Sequence, residues 1–183
     1  MKLILVGGFL GAGKTTLLWE STKRLAERGR VVGLITNDQV PDLVDTALLS
    51  RSGASVREVA GSCFCCNFEG FRDAAQSLVD GGADCIIAEP VGSCTDLSAT
   101  IIQPLKALFP AYHVAPLTVL LDPSRVREVL QEKQPLLHAD AVYILHLQLE
   151  EADQIVLNKV DTLTQTERDE VLSFLKEECP QAS

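Results

Sequence analysis

Gly8-Phe9-Leu10-Gly11-Ala12-Gly13-Lys14-Thr15 lies between the apolar run Leu3-Ile4-Leu5-Val6 and a helix-compatible segment, and it fits G-x-x-x-x-G-K-T at every position. Phosphate oxygens need several backbone N–H donors converging on one point. Glycines at 8, 11 and 13 let the chain curl and approach without Cβ clashes, with Ala12 the small residue between two of them. A helix starting near Lys14 adds its positive dipole end. Lys14 is expected to reach the β- and γ-phosphates, the Thr15 hydroxyl to ligate Mg²⁺, and Thr16 to contact the α-phosphate.

Working outward from this turn, short β-branched runs alternate with longer helical segments, the pattern of βα units around a parallel sheet. Strands are expected over Leu3–Val6, Val31–Thr36, Ser55–Val59, Asp84–Ala88, Thr118–Leu121 and Gln154–Leu157. Helices are expected over Lys14–Arg28, Phe68–Asp80, Thr95–Leu108, Ser124–Gln131, Leu136–Leu149 and Thr164–Glu178. The fold class is therefore α/β, a three-layer P-loop nucleotide hydrolase with a mainly parallel central sheet and helices on both faces. Trp19 and the Leu17, Leu18, Leu25 group fall at helical spacings and read as core packing. The acidic cluster Glu150, Glu151, Asp153 reads as a solvated helix end.

The 183 residues, 46% hydrophobic, suffice for one domain with a real core and not for a second. The net charge of −9 argues against a nucleic-acid surface or an anionic membrane as partner. The N-terminus lacks the longer apolar region and cleavage site of a signal peptide. No stretch is long enough to span a bilayer. Three of the six cysteines are too close together for an ordinary disulfide framework, which points to a reducing, cytoplasmic setting.

Behind this turn, Ile155-Val156-Leu157-Asn158-Lys159-Val160-Asp161 places N-K-x-D directly after an apolar strand. It resembles the guanine-reading motif of GTPases. There the carboxylate, here Asp161, accepts from the guanine N1–H and 2-amino group, Asn158 helps fix the loop, and the Lys159 stem covers the ring. Adenine cannot pair with the carboxylate, so a buried Asp161 left unmatched would cost about 1–3 kcal/mol, which selects GTP over ATP. Cys85-Ile86-Ile87-Ala88-Glu89 is an apolar strand ending in a carboxylate, and Pro90-Val91-Gly92 follows. Strand C-termini in a parallel sheet face the ligand crevice, so Glu89 is expected near the γ-phosphate, holding Mg²⁺ through water or orienting the attacking water. Gly92 could offer a backbone N–H. Asp38 and Asp122, each after a strand, compete for the magnesium role.

Gly61-Ser62-Cys63-Phe64-Cys65-Cys66 packs three thiols into four positions. Thiolates are soft ligands suited to zinc or cuprous copper, and three protein ligands leave one position open, as suits a metal that must be released. Buried reduced cysteines or a redox pair are the alternative. With these motifs in this order, the chain resembles the CobW-type metal-binding GTPases of the SIMIBI class, relatives of the urease and hydrogenase nickel-insertion GTPases. The resemblance runs from Lys2 to about Ser173 and rests on GGFLGAGKTTLL, C-F-C-C at 63–66, E-P-V-G at 89–92, and EADQIVLNKVD. It implies that Cys63, Cys65 and Cys66 bind Zn²⁺ or Co²⁺, that this site is coupled to GTP, and that the metal passes to a client metalloprotein or a corrinoid-pathway protein. A homodimer is compatible with the sequence.

The chain departs from the family pattern at Asn37-Asp38-Gln39-Val40-Pro41, where many relatives carry Asn-Glu and then Phe-Gly-Glu, and at Pro90, where Ser or Thr is usual. It stops about one helix after Asp161, so the 183 residues are expected to be a GTPase domain cut before its last strand, without the C-terminal CobW-like domain. No arginine finger or water-orienting Gln is recognisable, so slow intrinsic turnover is expected, with Lys14 and Glu89 the catalytic pair. Two other functions fit less of the sequence: an ATP-dependent small-molecule P-loop kinase, with only Arg125 and Arg127 after Asp122 as lid arginines, and a nucleotide-binding adaptor without metal delivery.

Overall fold

Alternation along each strand divides the apolar side chains between two faces. In β1 (Lys2–Gly7), Leu3 and Leu5 join one core and Ile4 and Val6 the other. The computed structural model describes residues 1–37, 53–130 and 138–183. Among these, β1, β2 (Val32–Thr36), β3 (Ser55–Glu58), β4 (Cys85–Glu89), β6 (Thr118–Leu121) and β7 (Gln154–Leu157) form one parallel sheet in the order β3-β2-β4-β1-β6-β7. A short strand β5 (His113–Val114) also pairs with β1, at Lys2 and Leu3, before β6 takes over at Val6 and Gly7.

One face, with Leu3, Leu5, Ile35, Ile86 and Val119, packs against Phe71, Ala75 and Leu78 of α2 (Phe68–Asp80) and Leu105 of α3 (Gln103–Leu108). The opposite face, with Val6, Val32, Leu34, Ile87 and Leu120, receives Leu18 of α1 (Lys14–Glu27), with Leu17, Trp19 and Leu25 packed around it. A third core joins Leu121 to α4 (Pro123–Leu130), α5 (Ala139–Glu150) and α6 (Gln165–Glu178) through Val126, Leu145, Leu149, Val171 and Leu175. Burying each of these aliphatic side chains stabilises the fold by roughly 1.5–3 kcal/mol.

All six expected strands are present, each within a residue or two of its expected bounds, and the α/β three-layer class holds. The two-residue strand β5 lies between Tyr112 and Pro116 and is too short to leave a periodic signal. The segment expected to be helical from Thr95 begins only after Asp96, whose φ of 57° breaks it, and it opens as a π-helical turn over Ser98–Ile102. Pro104, without an N–H for the regular ladder, follows that wide turn. Glu151 and Asp153 are not simply solvated: they accept from Ser98 N (3.2 Å) and Leu117 N (2.7 Å), pinning two loops to the end of α5. At the sheet edge, Ser183 N donates to Asp153 O and Ile155 N to Ser183 O, both at 3.1 Å, so the last residue lies alongside β7. Asp38, Gln131 and Leu136 lie outside the described residues. Among the described residues, no helix is long and apolar enough to cross a membrane.

Because the strands run parallel, their C-terminal ends share one edge. Gly7, Thr36, Glu89, Leu121 and Leu157 end their strands there. This gathers residues far apart in sequence into one crevice.

Candidate nucleotide and metal site

The turn after β1 is built around its glycines. Gly8 has φ 129°, and a Cβ there would run into the carbonyl oxygen of Leu120 in β6. Only glycine allows the turn to lie this close to the sheet. Gly13 precedes α1 with φ 97° and contributes no side-chain cap, so the first N–H groups of the helix have no capping side chain and face the turn. Ala12 is buried, whereas Thr16 is exposed on the first turn of α1. Lys14 is only 6% exposed, with its Nζ 3.3 Å from Phe9 O and 3.9 Å from Glu89 Oε1. The Thr15 hydroxyl lies 3.2 Å from each Glu89 carboxylate oxygen. Lys14, Thr15 and Glu89, three of the residues read from sequence as phosphate, magnesium and water ligands, thus meet at one point. A hydroxyl beside a carboxylate is also the hard oxygen donor set that suits Mg²⁺.

Gly92 closes this group from the other side. A Cβ on it would stand 2.9 Å from Leu10 N and 3.4 Å from Lys14 Nζ, so a side chain would push the loop off the phosphate turn. Its carbonyl accepts from Gln148 Nε2 (3.1 Å). Asp122 is engaged elsewhere, with the Lys159 ammonium (2.8 Å), Ser124 N and Ser124 Oγ. Burial alone would raise its pKa, but those bonds prevail and hold it below the usual carboxylate range.

The residues after β7 lock onto the phosphate turn. Asn158 Nδ2 donates to Ala12 O (2.8 Å) and Lys159 Nζ to Gly11 O (2.7 Å). Lys159 itself is in the left-handed region, φ 53°, and starts the 3-10 turn Val160–Thr162 that carries Asp161. Asp161 is exposed, not buried.

The thiol cluster is held by packing and by one amide. Phe64 turns inward, fully buried against Phe71 with ring centroids 4.8 Å apart, while Cys63 and Cys65 are half-buried and Cys66 is exposed. Cys66 N and Asn67 N both bond to Cys63 O, closing a tight turn before Asn67 caps α2. Asn37, 6% exposed at the end of β2, donates to Val59 O and Ser62 O (2.7 Å each) and accepts from Phe64 N (3.0 Å). The Cys63 sulfur lies 2.8 Å from that of Cys65 and 3.1 Å from that of Cys66. Burial pushes Cys63 up, but hydrogen bonds from Cys65 and Cys66 outweigh it and lower its pKa. Cys65 is pushed up to about 12 by burial and by its hydrogen bond to Cys63. Cys66 is raised, chiefly by its hydrogen bond to Cys63. Three sulfurs drawn this close together are the donor set that a soft cation binds. Tetrahedral Zn–S bonds of about 2.3 Å place sulfurs about 3.8 Å apart, so an ion fits once the cluster opens by about an ångström at its closest pair.

Sequence reasoning missed three contributors. Asn37 fixes the cysteine loop. Gln148, 1% exposed in α5, donates to both Gly92 O and Cys94 O (2.9 Å) and straps the loop after β4. Cys94 lines, with Cys63, Cys65 and Cys66, an open cavity of about 430 Å³. A polar amide immediately after an apolar strand was a signal available for Asn37; Gln148 leaves none, because its helix is apolar on several sides.

A family model described as CobW/HypB/UreG, nucleotide-binding domain, matches residues 2–183. Among curated proteins, the zinc chaperone YeiR of Escherichia coli (strain K12) is 29% identical over 162 residues, 87% of this chain and 47% of that protein. The chain thus spans about half the length of the curated relative it matches. Among solved structures, hydrogenase maturation factor HypB from Archaeoglobus fulgidus superposes with a TM-score of 0.64 at 19% identity, covering 100% of this chain and 79% of that one. HypB from Helicobacter pylori in complex with nickel gives 0.63 at 20% identity, covering 98% and 75%. The signal recognition particle receptor FtsY from Elizabethkingia anophelis gives 0.67 at 20%, covering 99% and 56%. At these identities the structural likenesses speak for the fold.

Proposed function

Because the chain belongs to the CobW/HypB/UreG nucleotide-binding domain family, we propose that it binds and slowly hydrolyses GTP while holding a transition metal on Cys63, Cys65 and Cys66 for delivery to a client. Zinc fits the thiolate set best, and the likeness to a zinc chaperone supports it; cobalt is the alternative cargo. The observation that carries the reading is the segment from Glu89 to Cys94. Its first residue lies against Thr15 and Lys14, its Gly92 against Leu10, and its far end lines the cysteine cavity.

In this reading the backbone amides around Gly11, Ala12 and Gly13 and the Lys14 ammonium bind the triphosphate, and Asp161 reads guanine. Mg²⁺, when bound, neutralises charge shared by the β- and γ-phosphates; Thr15 and Glu89 would hold it. Glu89 orients water toward the γ-phosphate, and Gly92 supplies a backbone N–H. A loop that responds to the γ-phosphate changes the wall of the metal cavity, which makes nucleotide and metal affinities reciprocal.

The test is a calorimetric titration of the chain with zinc, with and without GTP and magnesium. One zinc per chain is expected, with an affinity that shifts with nucleotide and is lost in Cys65→Ala. Lys14→Ala should remove the nucleotide dependence and keep the zinc. Zinc binding indifferent to Cys65 would overturn the metal assignment.

A further inference from the structure

We propose that Cys94 supplies a fourth thiolate to the metal held by Cys63, Cys65 and Cys66, so that the loop facing the nucleotide is itself one wall of the metal site. This rests on the metallochaperone reading and adds a ligand from a second element.

Three sulfurs on one tight turn all approach an ion from the same side. A tetrahedral thiophilic ion takes its fourth ligand from across the cavity. The opposite wall is formed by Val91, Ser93, Cys94, Thr95, Asp96 and Thr100. Hydroxyls are poor donors to a soft cation, which leaves Cys94 and Asp96. Asp96 is exposed and turned toward the Thr95 hydroxyl, 3.3 Å away. Cys94 is 7% exposed and lines the same cavity as Cys63, Cys65 and Cys66. Of the six cysteines, Cys85 lies within β4 and Cys179 packs at the end of α6, neither on this cavity.

The backbone at Cys94 is pinned on both sides. Its N–H donates to Val91 O (2.9 Å) and its carbonyl accepts from Gln148, which also holds Gly92. Residues 91–94 therefore move as a unit. The sulfurs of Cys63, Cys65 and Cys66 lie within 4.8 Å of one another, and Cys94 stands outside that triad. Coordination would draw it inward and carry along Gly92, where even a Cβ would collide with the Leu10 backbone. The metal thereby pulls on the nucleotide loop directly.

X-ray absorption on the zinc-loaded full chain, in a phosphine reductant without added thiol, counts the sulfur ligands. Four are expected in the wild type. Cys94→Ser should give three plus one lighter atom, with zinc affinity lower by at least about tenfold. Three sulfurs in the wild type, or four in Cys94→Ser, would overturn the proposal. If the variant fails to fold, the wild-type count alone decides, because Cys85 and Cys179 are out of reach. A wild type that binds no zinc removes the metallochaperone reading itself, a separate failure.

Discussion

Replacing Asn37 tests how the cysteine loop is built. Its side chain makes three hydrogen bonds, to Val59 O, Ser62 O and Phe64 N, at 2.7–3.0 Å, and is almost fully buried. Asn37→Ala removes all three and leaves a buried amide and two carbonyls to find new partners. The two bonds to carbonyls are worth about 1 kcal/mol each, and the buried Phe64 amide left unpaired costs about 1–3 kcal/mol, so a loss of about 3–5 kcal/mol is expected. Against a typical total of about 5–15 kcal/mol this is a large fraction, and for a chain of this length it corresponds to roughly 10 °C in Tm. Asn37→Asp keeps the acceptor for Phe64 N but sets a carboxylate against two carbonyl oxygens, and should be no more stable than the alanine variant. Urea unfolding followed by circular dichroism gives the stability, and a competing chelator gives the zinc affinity, which should also fall because the loop presents Cys63, Cys65 and Cys66. A destabilisation below about 1 kcal/mol with unchanged zinc affinity would refute the claim that this amide organises the loop.

Three more outcomes follow from the site. Glu89→Gln should lower GTP hydrolysis by about 10²-fold with a smaller loss of nucleotide affinity, through the weakened hold on magnesium; single-turnover assays separate the two. Asp161→Ala should erase the preference for GTP over ATP, worth about 1–3 kcal/mol, and a preference that survives in competition binding would move base recognition elsewhere. Zinc affinity should rise with pH, because Cys65 and Cys66, both raised, must lose protons to bind while Cys63 is already lowered. Below those pKa values Cys65 and Cys66 each release a proton on binding, and Cys94, also raised, a third when it joins the ion, so calorimetry in buffers of different ionisation enthalpy should count at least two.

The residues proposed for magnesium and phosphate could be picked out from local sequence because each lies at the end of an apolar strand or in a glycine turn. Gly8 to Thr15, Glu89 and Asn158 to Asp161 are contiguous motifs, and a parallel sheet brings strand ends to one edge whatever the details of packing. Lys159 shows the limit. Its role as a clamp between Gly11 O and Asp122 depends on two loops from different strands.

Residue order alone carried the α/β class, the positions of all strands but β5 and the three-thiol cluster, since hydrophobic period and residue spacing are properties of the chain read locally. Only the tertiary structure decided that Thr15 and Lys14 meet Glu89, that Asp122 is held by Lys159, and that Asn37, Gln148 and Cys94 surround the cysteine loop. These pairings join residues 25 to 75 positions apart or more, and they follow from strand order and from which loop a buried amide happens to face, neither of which leaves a trace in neighbouring residues.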